Sequence, residues 1–291
     1  MSRITKCKNC GRMTDIKISW SGLRTHMECK QKGYLQRTGK KAKMENQRVF
    51  FPGTVTDRVV RDWLADDPYS NPGLMVDMVE SVVQREQDAL EERGKQLRWK
   101  DDKDRDSIIK DCQDAVRTIE PDLNELVLPY EYDVDFSFKA PLMAPHPSGE
   151  MSQILLIGFM DIIVRRPETL ELPAQWAVYD VKHTKDNYYW KKTKGQLSFY
   201  DLAVDVMFES PTFEVGLLQP LCKETQKLFT LGDQDRTILE THVLQMADDI
   251  WRNNIEPDAP ISACSWCNVK HACSRFTPVN GNNGNKRVNL F

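Results

Sequence analysis

The stretches ILLIGFMDIIV (154–164) and QWAVYDVKHT (175–184) decide how this chain is read. Both are dense in β-branched and aromatic residues, so both read as strands of one sheet. Side chains two apart on a strand share a face, which sends Asp180 and Lys182 one way and Val181 and His183 the other. Paired as neighbours, the two strands let Asp161 join Asp180 and Lys182 at a strand end. Carboxylates gathered there repel unless a cation lies between them, and Mg²⁺ and Mn²⁺ prefer oxygen ligands. An ammonium beside them can polarise a water or stabilise charge on a phosphate oxygen. Such a set suits metal-assisted phosphodiester hydrolysis. His183, on the opposite face, is expected to be packed or solvated.

Three motifs follow in order: Gly158-Phe159-Met160-Asp161 as G-x-x-D, Asp180-Val181-Lys182 as (D/E)-x-K, and Gln196-Leu197-Ser198-Phe199-Tyr200 as Q-x-x-x-Y. Together they resemble the PD-(D/E)XK nuclease superfamily, in its branch of RecB-type nucleases and the iron–sulfur exonucleases of CRISPR adaptation. Each motif alone is weak, and the ordered set is strong. The resemblance spans roughly residues 19–275 and implies an α/β, restriction-endonuclease-like core, a mixed central sheet flanked by helices. It implies catalytic roles for Asp161, Asp180, Lys182, Gln196 and Tyr200, the last two on one face of the helix after the catalytic strand. As ligands of Mg²⁺ or Mn²⁺ it implies Asp161, Asp180, the Val181 carbonyl and Asp57. The last closes Gly53-Thr54-Val55-Thr56-Asp57, where the family shows a histidine on a helix.

The eight cysteines stand at 7, 10, 29, 112, 222, 264, 267 and 273. The opening MSRITKCKNC lacks the apolar core of a secretory signal, so a disulfide framework is not expected. The run 264–273 is C-x2-C-x5-C. In the family that the chain resembles, such a triplet joins one distant cysteine to hold a 4Fe–4S cluster. Ile18-Ser19-Trp20-Ser21-Gly22-Leu23, leading to Cys29, matches the motif that carries the distant ligand. The resemblance thus implies Cys29, Cys264, Cys267 and Cys273 as cluster ligands stapling the two ends of the chain. Four thiolates serve Zn²⁺ as well, and that alternative stays open. Cys7-Lys8-Asn9-Cys10 is half of a zinc knuckle or a pair of free thiols, while Cys112 and Cys222 read as ordinary buried thiols.

With 40% hydrophobic residues over 291 positions, the chain can bury a full core. A net charge of −3 does not advertise a nucleic-acid partner, but its distribution does. Residues 1–50 are rich in Lys and Arg, with acids only at Asp15, Glu28 and Glu45. Beside the catalytic strand, Lys185, Lys191, Lys192 and Lys194 interleave with Tyr188 and Trp190, a pattern suited to neutralising phosphates and stacking on unpaired bases. The bland alternative is a solvated loop whose aromatics return to the core. No apolar run reaches spanning length, so a membrane location is not expected. The expected location is cytoplasmic, in the bacterial host if the chain is virus-encoded.

The organisation reads as a basic N-terminal segment with cysteine motifs (1–45), a helical region (46–125), the nuclease core (126–257), a cysteine cluster (258–277) and an Asn/Gly-rich disordered tail (278–291). Within it, 47–67 and 74–98 read as helices and 92–107 as a charged, mobile link. A first strand is expected over 126–138, a further strand over 213–221, and a helix over 235–254. Glu131, Asp133 and Asp135 share a face expected to meet solvent. Leu290-Phe291 is a candidate anchor for a replication or recombination partner.

The expectation is a metal-dependent DNA exonuclease acting on single strands or duplex ends, in recombination, repair or processing, with a structural 4Fe–4S cluster. Its rivals are a non-cleaving DNA-binding accessory protein of the same fold and a structure-specific endonuclease.

Overall fold

The computed structural model describes residues 16–37, 48, 50–66, 68, 73–95, 97, 99, 101–169 and 173–276. Its centre is a mixed sheet built around β3 (Met151–Arg166). One edge of β3 pairs antiparallel with β2 (Glu131–Pro145), in register from Glu131 opposite Arg165 to Pro145 opposite Met151. Its other edge is shared. The start of β3 pairs in parallel with β1 (Ile16–Ile18), and its end pairs antiparallel with β4 (Gln175–Val181). Beyond β4 lie the parallel β5 (Thr212–Leu218) and the antiparallel β6 (Gln226–Phe229).

Helices cover both faces, because the central strands are apolar on both sides. One layer holds α3 (Phe51–Ala65), α4 (Leu74–Glu92) and α5 (Asp102–Leu126), packed on Ile162, Val164, Ala177 and Tyr179. The other holds α1 (Trp20–Glu28), α6 (Trp190–Phe208) and α7 (Asp233–Trp251), packed on Ile154, Leu156, Met160 and Val178. The helix α2 (Lys30–Arg37) continues from α1. Two 3-10 turns, Ile261–Trp266 and Lys270–Ala272, close the described chain. The expected mixed α/β core with flanking helices is therefore present.

Several boundaries move. Of the charged stretch 92–107, only 93–101 separates the helices, since α5 begins at Asp102. Asp101 caps it, its side chain accepting from the Asp104 N–H at 2.8 Å. A short oxygen-bearing side chain at that position satisfies one of the four orphan donors of a helix start, so charge density there marks a cap rather than a link. Residues 126–130 complete α5 and its turn, which delays β2 to Glu131. The further strand stops at Leu218, and Cys222 lies in the following turn. The strands β1 and β6 are too short to show a periodic signal in the sequence. Cys7, Cys10 and the 278–291 tail with Leu290-Phe291 lie outside the described residues.

The N-terminal helices are tied to α7 by a buried polar knot. Asp249, 1% exposed, accepts from Lys30 Nζ at 3.1 Å and Asn254 Nδ2 at 2.7 Å, and lies 3.0 Å from His26 Nε2. Burial opposes ionisation of Asp249, but the contacts from His26, Lys30 and Asn254 win and hold its carboxyl below the usual range. A depressed carboxyl stabilises the fold above its unfolded pKa and loses that contribution as pH falls through the folded value. Asp249→Ala is expected to cost about 1–3 kcal/mol near neutral pH, because His26, Lys30, Asn254 and Gln245 lose their partner. Urea unfolding checks this, and a parent-like midpoint would count against the knot.

Candidate active site

Elements from both layers meet at the end of β4. Asp180, on the last turn of the strand pleat, faces α6 and is 0% exposed. Its Oδ1 accepts from Gln196 Nε2 at 3.1 Å, and the same nitrogen lies 2.6 Å from the Tyr200 hydroxyl. Gln196 and Tyr200 are one helical turn apart, so one face of α6 delivers both. Asp161 comes from β3, and its Oδ2 accepts from the Val181 N–H at 3.0 Å. Lys182 Nζ reaches Asp180 Oδ2 at 2.6 Å, Asp161 Oδ2 at 3.8 Å and the Val181 carbonyl at 3.4 Å.

Asp57 approaches from α3 and pairs with Arg61, one turn on, at 2.9 Å. Burial pushes the Asp57 carboxyl up to about 6, with the charge on Asp161 adding to it and Arg61 and Lys182 pulling against it. Burial and Asp161 likewise raise Asp180, although Lys182 opposes them. Burial would depress Lys182, but Asp180 and Asp161 outweigh it and hold the ammonium above the usual lysine range. Three acids thus crowd one lysine. Carboxylates that destabilise one another's charge are a donor set that a divalent cation would relieve.

Among the described residues, no three His, Cys, Asp or Glu side chains stand ready to enclose a metal ion. The Lys182 ammonium sits against Asp180 and near Asp161 instead. The chemistry of the set still fits a hard cation: Asp57, Asp161 and Asp180 offer only oxygen, and Asp180 Oδ2 is buried without a hydrogen bond of good geometry.

A family model for the PD-(D/E)XK nuclease superfamily matches residues 17–274. The chain belongs to that superfamily. No curated protein sequence matches it. Among solved structures, a candidate exonuclease of Eubacterium rectale is 12% identical, with a TM-score of 0.49 over 92% of this chain and 91% of its own. The protein SSO0001 is 13% identical, with a TM-score of 0.33 over 88% of this chain and 98% of its own.

One participant in this PD-(D/E)XK site, Asp135, escaped the sequence reading. Asp135 stands opposite Asp161, between the pairs Val134–Ile162 and Phe136–Met160. It is exposed, as expected of its face, yet Arg61 Nη1 reaches it at 2.6 Å and so bridges Asp57 to β2. Its φ of 52° is uncommon for a residue with a side chain, and such conformations gather at functional sites. The acidic alternation of β2 was visible, but which acid faces Asp161 depends on register. His183 lies 2.8 Å by its Nδ1 from Thr56 Oγ1, so it packs α3 against the end of β4.

The remaining candidates divide. Tyr188 is exposed, whereas Trp190 packs towards the core against Phe229. Lys192 pairs with Asp186 and Lys194 with Asp235, and Lys185 lies 3.9 Å from Asp111. Lys191 lies over the Tyr188 and Trp190 rings. Cys29 and the 264–273 triplet approach from the two ends of the described chain, but no three of the four cysteines stand ready to enclose a metal ion. Burial pushes the Cys273 thiol up, and Cys29, Cys264 and Cys267 are near enough to add to that shift. Gln31 ties the ends together, its Oε1 accepting from Cys273 Sγ at 2.6 Å and the Ser274 N–H at 2.9 Å.

Proposed function

We propose that the protein is a metal-dependent DNA exonuclease with a structural 4Fe–4S cluster. The observation that carries the nuclease reading is the convergence of Asp57, Asp161, Asp180 and Lys182 on one strand end, with Gln196 bonded to Asp180. Asp57, Asp161, Asp180 and the Val181 carbonyl would hold Mg²⁺ or Mn²⁺. When bound, the ion supplies positive charge that polarises a phosphoryl oxygen and acidifies a water nucleophile.

The side chains do the rest. Against the effect of burial, Asp180 and Asp161 hold the Lys182 ammonium above the usual lysine range, and it would donate to the attacking water or to charge developing on phosphate. Gln196 fixes one Asp180 oxygen and leaves the other towards Lys182, while Tyr200, kept protonated by burial beside Asp180, orients Gln196. Lys185, Tyr188 and Lys191 are the basic and aromatic groups best exposed to DNA, with Lys192 and Lys194 available once their carboxylate partners are exchanged for phosphate. Cys29, Cys264, Cys267 and Cys273 suit an iron–sulfur cluster by their number and by the approach of Cys29 to the C-terminal triplet, and a cluster would clasp α1 and α2 to the C-terminal turns.

End-labelled linear and covalently closed circular DNA test the assignment. Progressive shortening of linear DNA with circles untouched is expected. Cutting of circles would move the reading to an endonuclease, and no cleavage with either ion to a binding protein.

Asp57 provides a sharper check. A carboxylate in place of imidazole makes the ligand set entirely oxygen, which favours Mg²⁺. Asp57→Ala is expected to raise the Mg²⁺ concentration needed for half-maximal cleavage by about tenfold or more, and Asp57→His to shift preference towards Mn²⁺. A titration in which Asp57→Ala matches the parent would leave Asp57 as only the Arg61 partner.

A further inference from the structure

Between its pairs with β1, which end at Leu156, and with β4, which begin at Ile162, β3 has no strand along that edge among the described residues. A cavity of about 490 Å³ opens there. Gln196 and Tyr200, the residues that position Asp180, form part of its wall, so it adjoins the candidate active site. The rest mixes aromatic rings with small polar residues: Trp20 from α1, Phe199 from α6 and Phe159, which is 59% exposed, stand with Ser19, Ser21 and Ser137. The indole edge of Trp20 can press on α6 only because position 195 is glycine, where a Cβ would come within 2.3 Å of the ring. Lys17 and Lys139 stand at the same cavity.

We propose that this cavity receives one unpaired nucleobase of the substrate strand, next to the phosphodiester to be cut. This rests on the nuclease reading and adds to it a subsite. Aromatic walls suit any base, because every base has a π face, and lysines at the rim suit the flanking phosphates. The volume is in the range that holds small organic groups, about 300–1,000 Å³. The bare β3 edge places backbone hydrogen-bonding groups beside the rings, as a base edge requires. A base seated there holds its strand across Gln196 and Tyr200 towards Asp180 and Lys182. A paired base cannot enter, so the subsite selects single strands and frayed ends.

The test uses a short single-stranded oligodeoxynucleotide carrying one 2-aminopurine, moved position by position, in EDTA so that nothing is cut. Stacking quenches 2-aminopurine. Quenching confined to one or two neighbouring positions is expected, with binding weakened roughly tenfold in Phe159→Ala, whose exposed side chain can be lost without unfolding the protein. Lys139→Ala is expected to weaken every oligonucleotide alike and to leave the quenching pattern in place. Equal quenching at all positions, or parent-like binding and quenching in Phe159→Ala, would overturn the subsite while leaving the nuclease intact. Failure to bind any oligonucleotide, with no cleavage of DNA in Mg²⁺ or Mn²⁺, would overturn the nuclease reading and the subsite with it.

Discussion

Lys182→Ala and Asp180→Asn are each expected to lower cleavage by at least about a hundredfold, the typical cost of one transition-state electrostatic contact. The two should differ in stability. Asp180→Asn keeps an oxygen for Gln196 Nε2 and leaves the part-exposed Lys182 with Asp161 at 3.8 Å, so its fold should suffer less. Lys182→Ala leaves Asp180, 0% exposed, without its nearest positive partner. Breaking a fully buried pair costs about 3–5 kcal/mol, and less is expected here because the Lys182 side chain is 27% exposed. A divalent ion would replace the missing charge, so Mg²⁺ should raise the melting temperature of Lys182→Ala more than that of the parent. Near-parent cleavage by purified Lys182→Ala would refute its role. An equal Mg²⁺ effect on both proteins would place the ion elsewhere.

Changing any one of Cys29, Cys264, Cys267 or Cys273 to Ala is expected to abolish a brown chromophore in anaerobically purified protein. Cys7→Ala and Cys10→Ala should retain it. Cys29 and the 264–273 triplet lie more than two hundred residues apart in sequence, so only folding can bring their thiols to one cluster. Binding at such a site is coupled to folding free energy. A melting temperature lower by roughly 10 °C or more is therefore expected, since each kcal/mol moves a domain of this size by about 2–4 °C. Gln31, which bonds Cys273 and Ser274, would remain as the weaker tie between the ends. A colourless protein with one zinc per chain would replace the cluster by the zinc alternative. Loss of colour in Cys7→Ala would change the ligand set.

What the sequence by itself determined was local. Alternation put Asp180 and Lys182 on one face, and the four-residue spacing of Gln196 and Tyr200 put them on one helix face. Both periods are properties of backbone geometry, so neither needs the rest of the chain. The apolar row of α4 was legible for the same reason. Short or capped elements were less so: β1 and β6 hold too few residues for a period, and Asp101 turned a charged stretch into a helix start.

The tertiary structure alone decided whatever depends on register or on long-range approach. Asp135 faces Asp161 because β2 pairs with β3 at one offset, and a shift of one residue would have sent it away. Arg61 links Asp57 to Asp135, from elements separated by two further helices. Trp190 turned inward onto Phe229, while Tyr188, two residues earlier, stayed exposed. The cavity beside Gln196 exists because β1 and β4 divide one edge of β3 and leave its middle bare. Composition cannot signal such a gap, since it is made by where two strands stop.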